Sequence, residues 1–121
     1  MIKLKRIYDP VDSQDGARFL VERLWPRGVS KEKAELAGWL KELAPSPELR
    51  KWYQHDLGRW DEFRRRYLEE LAAPGQRPLL AQLRKTAREG TVTLVLAARD
   101  PEHSSARVLK DFLESEGGHL I

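Results

Sequence analysis

Cysteine is absent from the 121 residues, which excludes disulfides, thiolate nucleophiles, zinc ribbons and iron–sulfur clusters. The histidines, His55, His103 and His119, stand far apart with no i, i+4 pair, so no built-in metal site is expected and no other signature calls for a cofactor. Asparagine is also absent, methionine occurs once and arginine outnumbers lysine. Loss of thermolabile residues is a habit of thermophile proteins, and a GC-rich genome favours arginine as well. No apolar run approaches the roughly 20 residues of a membrane span, and the start Met1-Ile2-Lys3-Leu4-Lys5-Arg6 lacks the apolar block of a signal peptide. A cytoplasmic location with no membrane partner is the expectation. Neither charge dominates: 22 basic against 19 acidic residues leave +3, far from a dedicated nucleic-acid tail but leaning toward anionic partners.

What is present fits one globular domain over 1–121. Hydrophobic residues make up 40% and charged ones 34%, a balance that supports a core rather than disorder. A chain of this length buries roughly two thirds of its unfolded surface.

The stretch from Ala17 to Gly28, ARFLVERLWPRG, organises the rest. Phe19, Val21 and Trp25 share one strand parity, and Arg23 falls on that parity too, which points a guanidinium into or beside the core. Arginine stays charged, and a buried charge needs partners. Pro26 and Gly28 end the strand and present Arg27 from a turn.

Before it, Lys3 to Tyr8 alternates charged and apolar residues as a first strand, with Leu4 and Ile7 inward. After it, Leu36 to Leu43 reads equally as a short strand or a helical turn. Ser46-Pro47-Glu48 starts a helix running to about Gln54: an N-cap, proline at the first position and an acid in the first turn. Arg59 to Ala72 is a longer helix, with Trp60, Phe63, Tyr67 and Leu71 along one stripe. A further helix opens at Pro78, buries Leu79, Leu80, Leu83 and Ala87, and stops at Gly90. Thr91 to Ala98 (TVTLVLAA) carries no charge, so it reads as a central strand buried on both faces. Asp100-Pro101-Glu102 starts a last helix that Gly117-Gly118 ends, with His119-Leu120-Ile121 as a frayed tail or edge strand. The order implies an α/β domain: a small, mainly parallel sheet of three to five strands with helices on both faces.

Asp15-Gly16, Val21 through Gly28, Ala44-Pro45-Ser46 with Leu49-Arg50, His55-Asp56, Arg59-Trp60 and Val92 to Asp100 with His103 together resemble the YeaO-like family of small bacterial and archaeal proteins. The resemblance runs from Lys3 to about Leu113, and its LWPRG stretch is specific. It implies a domain of unknown function, so it supplies kinship without an activity. Two positions depart from the family: Glu22 stands where Asp is common, and Ser104 follows His103 where Asn is frequent. A hydroxyl there reads a ligand edge less selectively than an amide.

Ligands of open α/β sheets favour the crevice beyond the carboxyl ends of the strands. If the strands ending near Arg23 and Ala98 are parallel, Arg27, Arg99, Asp100 and His103 share that edge, and an anion such as a phosphate suits it. The substrate-binding candidates are therefore Arg23, Trp25, Arg27, Arg99 and Asp100; the proton-transfer candidates are His55 and His103. Each also has a plainer role. Arg23 can tie an acid or loop carbonyls to the sheet, Asp100 can cap a helix, and Asp56 can cap the helix after it instead of orienting His55. His103, in a first helical turn, would be kept neutral by the dipole or would simply face solvent. Trp25 or Trp52 can stack on a base or sugar, or pack in the core.

Three functions compete. The first is a ligand-binding or enzymatic domain whose arginine-lined cleft takes a phosphorylated or otherwise anionic small molecule; no nucleophile fixes a reaction type, since Ser104 and Ser105 lack a glycine-flanked elbow. The second is a nucleic-acid-binding module using Arg59, Arg64 to Arg66, Arg84, Lys85 and Arg88. The third is a structural interaction domain without ligand. The sequence assigns no oligomeric state.

Overall fold

In the computed structural model the uncharged stretch after Gly90 forms β4 (Val92–Leu96), every residue of it buried. It lies inside a four-stranded sheet of order β1-β4-β2-β3, with β1 (Ile2–Arg6), β2 (Ala17–Leu20) and β3 (Gly38–Trp39) all paired in parallel. The helices are α1 (Lys31–Ala34), α2 (Pro47–Tyr53), α3 (Trp60–Leu71), α4 (Arg77–Glu89) and α5 (Ser105–Glu114). The structure describes residues 1–115; the expected Gly117-Gly118 stop and the His119–Ile121 tail lie outside them. Among the described residues no helix is long and apolar enough to cross a membrane.

Alternation along β4 divides the protein in two. Val92, Leu94 and Leu96 join the large core with Phe63, Tyr67 and Leu109 from α3 and α5, whereas Val95 meets Leu20, Ile7 and Ala34 on the other face. The faces are covered unequally. The amphipathic helices α2 to α5 pack on the first; single-turn α1 and the chain carrying Trp25 and Trp39 close the second. Parallel strands need both faces covered, which is why β4 could dispense with polar side chains almost entirely.

The second face holds the buried charge. Arg18 is 3% exposed and Asp15 4%; Arg18 Nη1 donates to Asp15 Oδ2 at 2.7 Å, and Lys5 Nζ donates to Asp15 Oδ1 at 3.0 Å. Asp15 also accepts the Asp12 backbone N–H, and Arg18 Nε donates to the Ala34 carbonyl. Burial raises the Asp15 carboxyl, but the bonds from Asp12, Lys5 and Arg18 outweigh it and hold it below the usual carboxylate range. Gly16, at φ 64°, permits this turn to press on β4: a Cβ there would meet the Thr91 carbonyl oxygen at 2.1 Å.

The strand carrying Arg23 is shorter than its parity implies. β2 ends at Leu20, and only the Val21 N–H continues the ladder, to the Val95 carbonyl at 3.1 Å. Beyond it the alternation lapses, so Val21 packs on the helix-covered face while Trp25 lies on the opposite one. Leu36 to Leu43 becomes both alternatives in turn: β3 at Gly38–Trp39, then a 3-10 turn at Lys41–Leu43. The last helix starts later than Asp100-Pro101 implies. Those residues begin a 3-10 turn, Pro101–His103, capped by Asp100; Ser104 then caps α5 by accepting the Arg107 N–H. His103 thus precedes the α-helix rather than occupying its first turn.

Candidate functional site

Because β2 and β4 are adjacent and parallel, the chain leaving Val21 and the chain leaving Leu96 diverge at one sheet edge. α2 and the start of α5 wall the gap between them. The result is a cleft with two adjoining chambers. The inner, a narrow cavity of about 60 Å³, is lined by Glu22, Arg23, Ala44, Pro45, Arg50, Tyr53, His55, Phe63, Ala98, Ser104 and Ser105. The outer, of about 420 Å³, shares Glu22, Arg23, Arg50 and His55 and adds Leu24, Trp25, Pro26, Lys51, Gln54 and Ala97.

Arg23 is half-buried and anchored: Nε donates to the Pro45 carbonyl and Nη2 to the Ala44 carbonyl, both at 3.1 Å. These bonds tie the end of β2 to the loop before α2, and among the described residues Nη1 has no partner. Arg50 is exposed and lines both chambers, and its side chain makes no hydrogen bond or ion pair among the described residues. Sequence reasoning gave Arg50 no role, although its spacing after the Ser46 cap places it one helical turn along α2. Glu22 accepts the Ala97 N–H through Oε2 at 2.8 Å, and its backbone carbonyl accepts the Trp39 indole N–H at 2.6 Å.

His55 reaches the cleft through an unusual backbone. Gln54 and His55 both adopt positive φ, 48° and 57°, a pair of left-handed residues that ends α2 and turns the imidazole back toward the Tyr53 ring, 5.6 Å away. Asp56 does not orient it; that carboxylate accepts the Gly58 N–H at 2.9 Å and lies 3.5 Å from Arg59. Tyr53 donates its hydroxyl to the His103 carbonyl at 2.9 Å. Burial, then the negative charges of Asp100 and Asp56, push that hydroxyl above its ordinary value, so it stays a donor at neutral pH.

Of the other candidates, Arg27, Arg99, Asp100 and His103 lie outside both chambers. Arg27 is exposed, with its carbonyl 3.4 Å from the Tyr8 hydroxyl. Arg99 and Asp100 are exposed as well. Asp100 Oδ2 is 2.7 Å from His103 Nδ1, a contact that holds the Asp100 carboxyl below its usual range, and the His103 ring sits edge-on to Trp60. Trp25 contributes to the outer chamber while its indole N–H is held by the Val29 carbonyl at 2.7 Å and its ring meets Trp39 edge-on. Trp52 is covered by the Arg59 and Arg66 guanidiniums, 5.2 and 4.4 Å from its ring centre.

The arginines of the nucleic-acid alternative are largely committed. Arg65 bonds Glu62 at 2.6 Å and Glu69 at 3.3 Å, Arg66 bonds Glu62 at 2.7 Å, and Arg84 donates to the Phe112 and Leu113 carbonyls. The bonds from Arg65 and then Arg66 lower the Glu62 carboxyl to about 2. No metal-holding group of acids and histidines occurs among the described residues.

A family model described as the inactive DUF488-N3 subclade matches residues 1–118. The chain is similar to an uncharacterized protein of Mycobacterium tuberculosis, 43% identical over 112 residues that span 93% of this chain and 92% of the relative. It is also similar to the uncharacterized protein YeaO of Escherichia coli, 41% identical over 114 residues, 94% of this chain and 97% of that one. No solved structure matches.

Proposed function

We propose, because this chain belongs to the inactive DUF488-N3 subclade, that it is a binding domain rather than an enzyme, and that its cleft takes a phosphorylated or other anionic small molecule. The subclade's inactivity is supported by Ser104, whose Oγ is spent on the Pro101 carbonyl and on the Arg107 N–H, and by Ser105, which has no base bonded to its hydroxyl among the described residues. His55 and His103 are then ligand neighbours at most, with no bond to break.

One observation carries the reading. Arg50 lines both chambers with an uncommitted guanidinium, and a guanidinium in a concave site binds phosphate or carboxylate through paired N–H groups. Arg23 supports it with the N–H groups its carbonyl bonds leave over, and Lys51 adds charge at the outer chamber. Arg27 and Arg99 lie outside the lining and act on the ligand through their field alone.

A thermal-shift series with inorganic phosphate and sulfate tests this. A ligand at a hundred times its dissociation constant stabilises by about 2.7 kcal/mol, so the melting temperature should rise with phosphate and saturate. Arg50→Ala should melt as the wild type does without phosphate and gain nothing from it. Parallel, unsaturating rises in both proteins would mean a bulk salt effect and would end the reading.

A further inference from the structure

Among the described residues, Glu22 is the one carboxylate in a lining whose fixed positive charges are Arg23, Arg50 and Lys51. It is held at both ends: Oε2 accepts the Ala97 N–H, and the backbone carbonyl takes the Trp39 indole. Yet among the described residues it pairs with neither arginine, although all three line both chambers. Its second oxygen is therefore an uncommitted acceptor, fixed in place and beside the cations that would hold an anion.

A fixed carboxylate repels an anionic ligand unless that ligand brings donors to it. Two kinds of donor exist. An ammonium group would meet Arg23, Arg50 and Lys51 at close quarters and suffer their repulsion, whereas a hydroxyl carries no charge and suffers none. We infer that the ligand is a hydroxylated phosphate ester, a sugar phosphate in chemical class, whose phosphate lies on the Arg50 side and whose hydroxyls donate to Glu22. The inference rests on the anion-binding reading of the same cleft. The shape of the site is compatible with it, since a narrow inner chamber opens into an outer one of about 420 Å³, room enough for a sugar ring.

Calorimetry with inorganic phosphate, n-pentyl phosphate and ribose 5-phosphate tests it in the full chain. The two esters share a charge and a five-carbon length and differ in hydroxyls. Wild type should bind ribose 5-phosphate about tenfold tighter than pentyl phosphate, the contribution of a charge-assisted hydrogen bond. In Glu22→Gln, whose amide oxygen can keep the Ala97 bond, that ratio should fall several-fold while inorganic phosphate binds equally well or better. A melt of Glu22→Gln checks its fold, and Glu22→Asp, which restores the charge, should recover part of the ratio. Equal affinities for the two esters in the wild type, or a ratio that Glu22→Gln leaves intact, would overturn the inference while the anion reading stands. Failure of all three phosphates to bind would overturn both.

Discussion

The Arg18 guanidinium donates to the Asp15 carboxylate at 2.7 Å across a turn of three residues, and both side chains are buried. Lys5 completes the group from the neighbouring side of the sheet, so one acid joins the turn, β1 and β2. Arg18 Nη2 is buried without a hydrogen-bond partner, which raises the cost of breaking what remains.

Asp15→Asn should therefore cost about 3–5 kcal/mol at pH 7, as removing one member of a buried pair does. The pH dependence has a defined sign. The folded carboxyl lies below its unfolded value of about 3.9, so its contribution is fully present above that value and is lost as pH falls through the folded one. Urea melts at pH 7 and pH 3 should show the gap between wild type and Asp15→Asn narrowing in acid. A gap independent of pH would show that Asp15 does not titrate with folding.

This pair was not legible in the sequence, whereas β4 was. TVTLVLAA has no charge to place at the surface, so its position inside the sheet follows from composition alone. Arg18 precedes Phe19 and Leu20 in a strand where period-2 reasoning assigns a charged residue to solvent, and its partner is reached only through the Asp12-capped turn. Alternation likewise carried the strand through Arg23, because nothing local marks where β2 loses its neighbour at Leu20. Ser46-Pro47 revealed α2 through cap chemistry, yet the same kind of signal at Asp100-Pro101 marked a 3-10 turn instead; Ser104, four residues on, held the helix cap. In the cleft, Arg23, Trp25 and His55 are candidates by residue type that also fall in the lining. Arg50 and Glu22 carry no such signal, because what sets them apart is the partners they lack, which only the fold displays.

Large-to-small changes in the helix-side core should be costly. Leu94 and Phe63 are 0% and 2% exposed, and Leu94→Ala and Phe63→Ala should each lose about 2–5 kcal/mol. Urea titration measures this; losses below about 1 kcal/mol for both would remove these residues from the core.

Arg23 and Arg27 should behave differently. Arg23→Ala leaves the Ala44 and Pro45 carbonyls without their donors and should cost about 1–3 kcal/mol, less than a charged partner would impose. Arg27 is exposed, so Arg27→Ala should change stability by less than about 0.5 kcal/mol. Equal losses in paired melts would contradict the anchoring role of Arg23.

Gly16→Ala should destabilise by more than ~1 kcal/mol, where an unstrained exchange would stabilise, because the added carbon collides with the Thr91 carbonyl. Gly28, also at positive φ but with open space around it, should tolerate alanine better. A melt comparison in which Gly28→Ala is the worse variant would refute this reading of the Asp15 turn.

The most direct test of anion binding in the cleft is an amide-resolved NMR titration of the wild-type protein with inorganic phosphate at constant ionic strength. The expected result is a saturable set of shifts at Glu22, Arg23, Arg50, His55 and Ser105, absent in Arg50→Ala. Shifts that never saturate, or that fall on the Arg64 to Arg66 face of α3 and leave the cleft unmoved, would contradict the account.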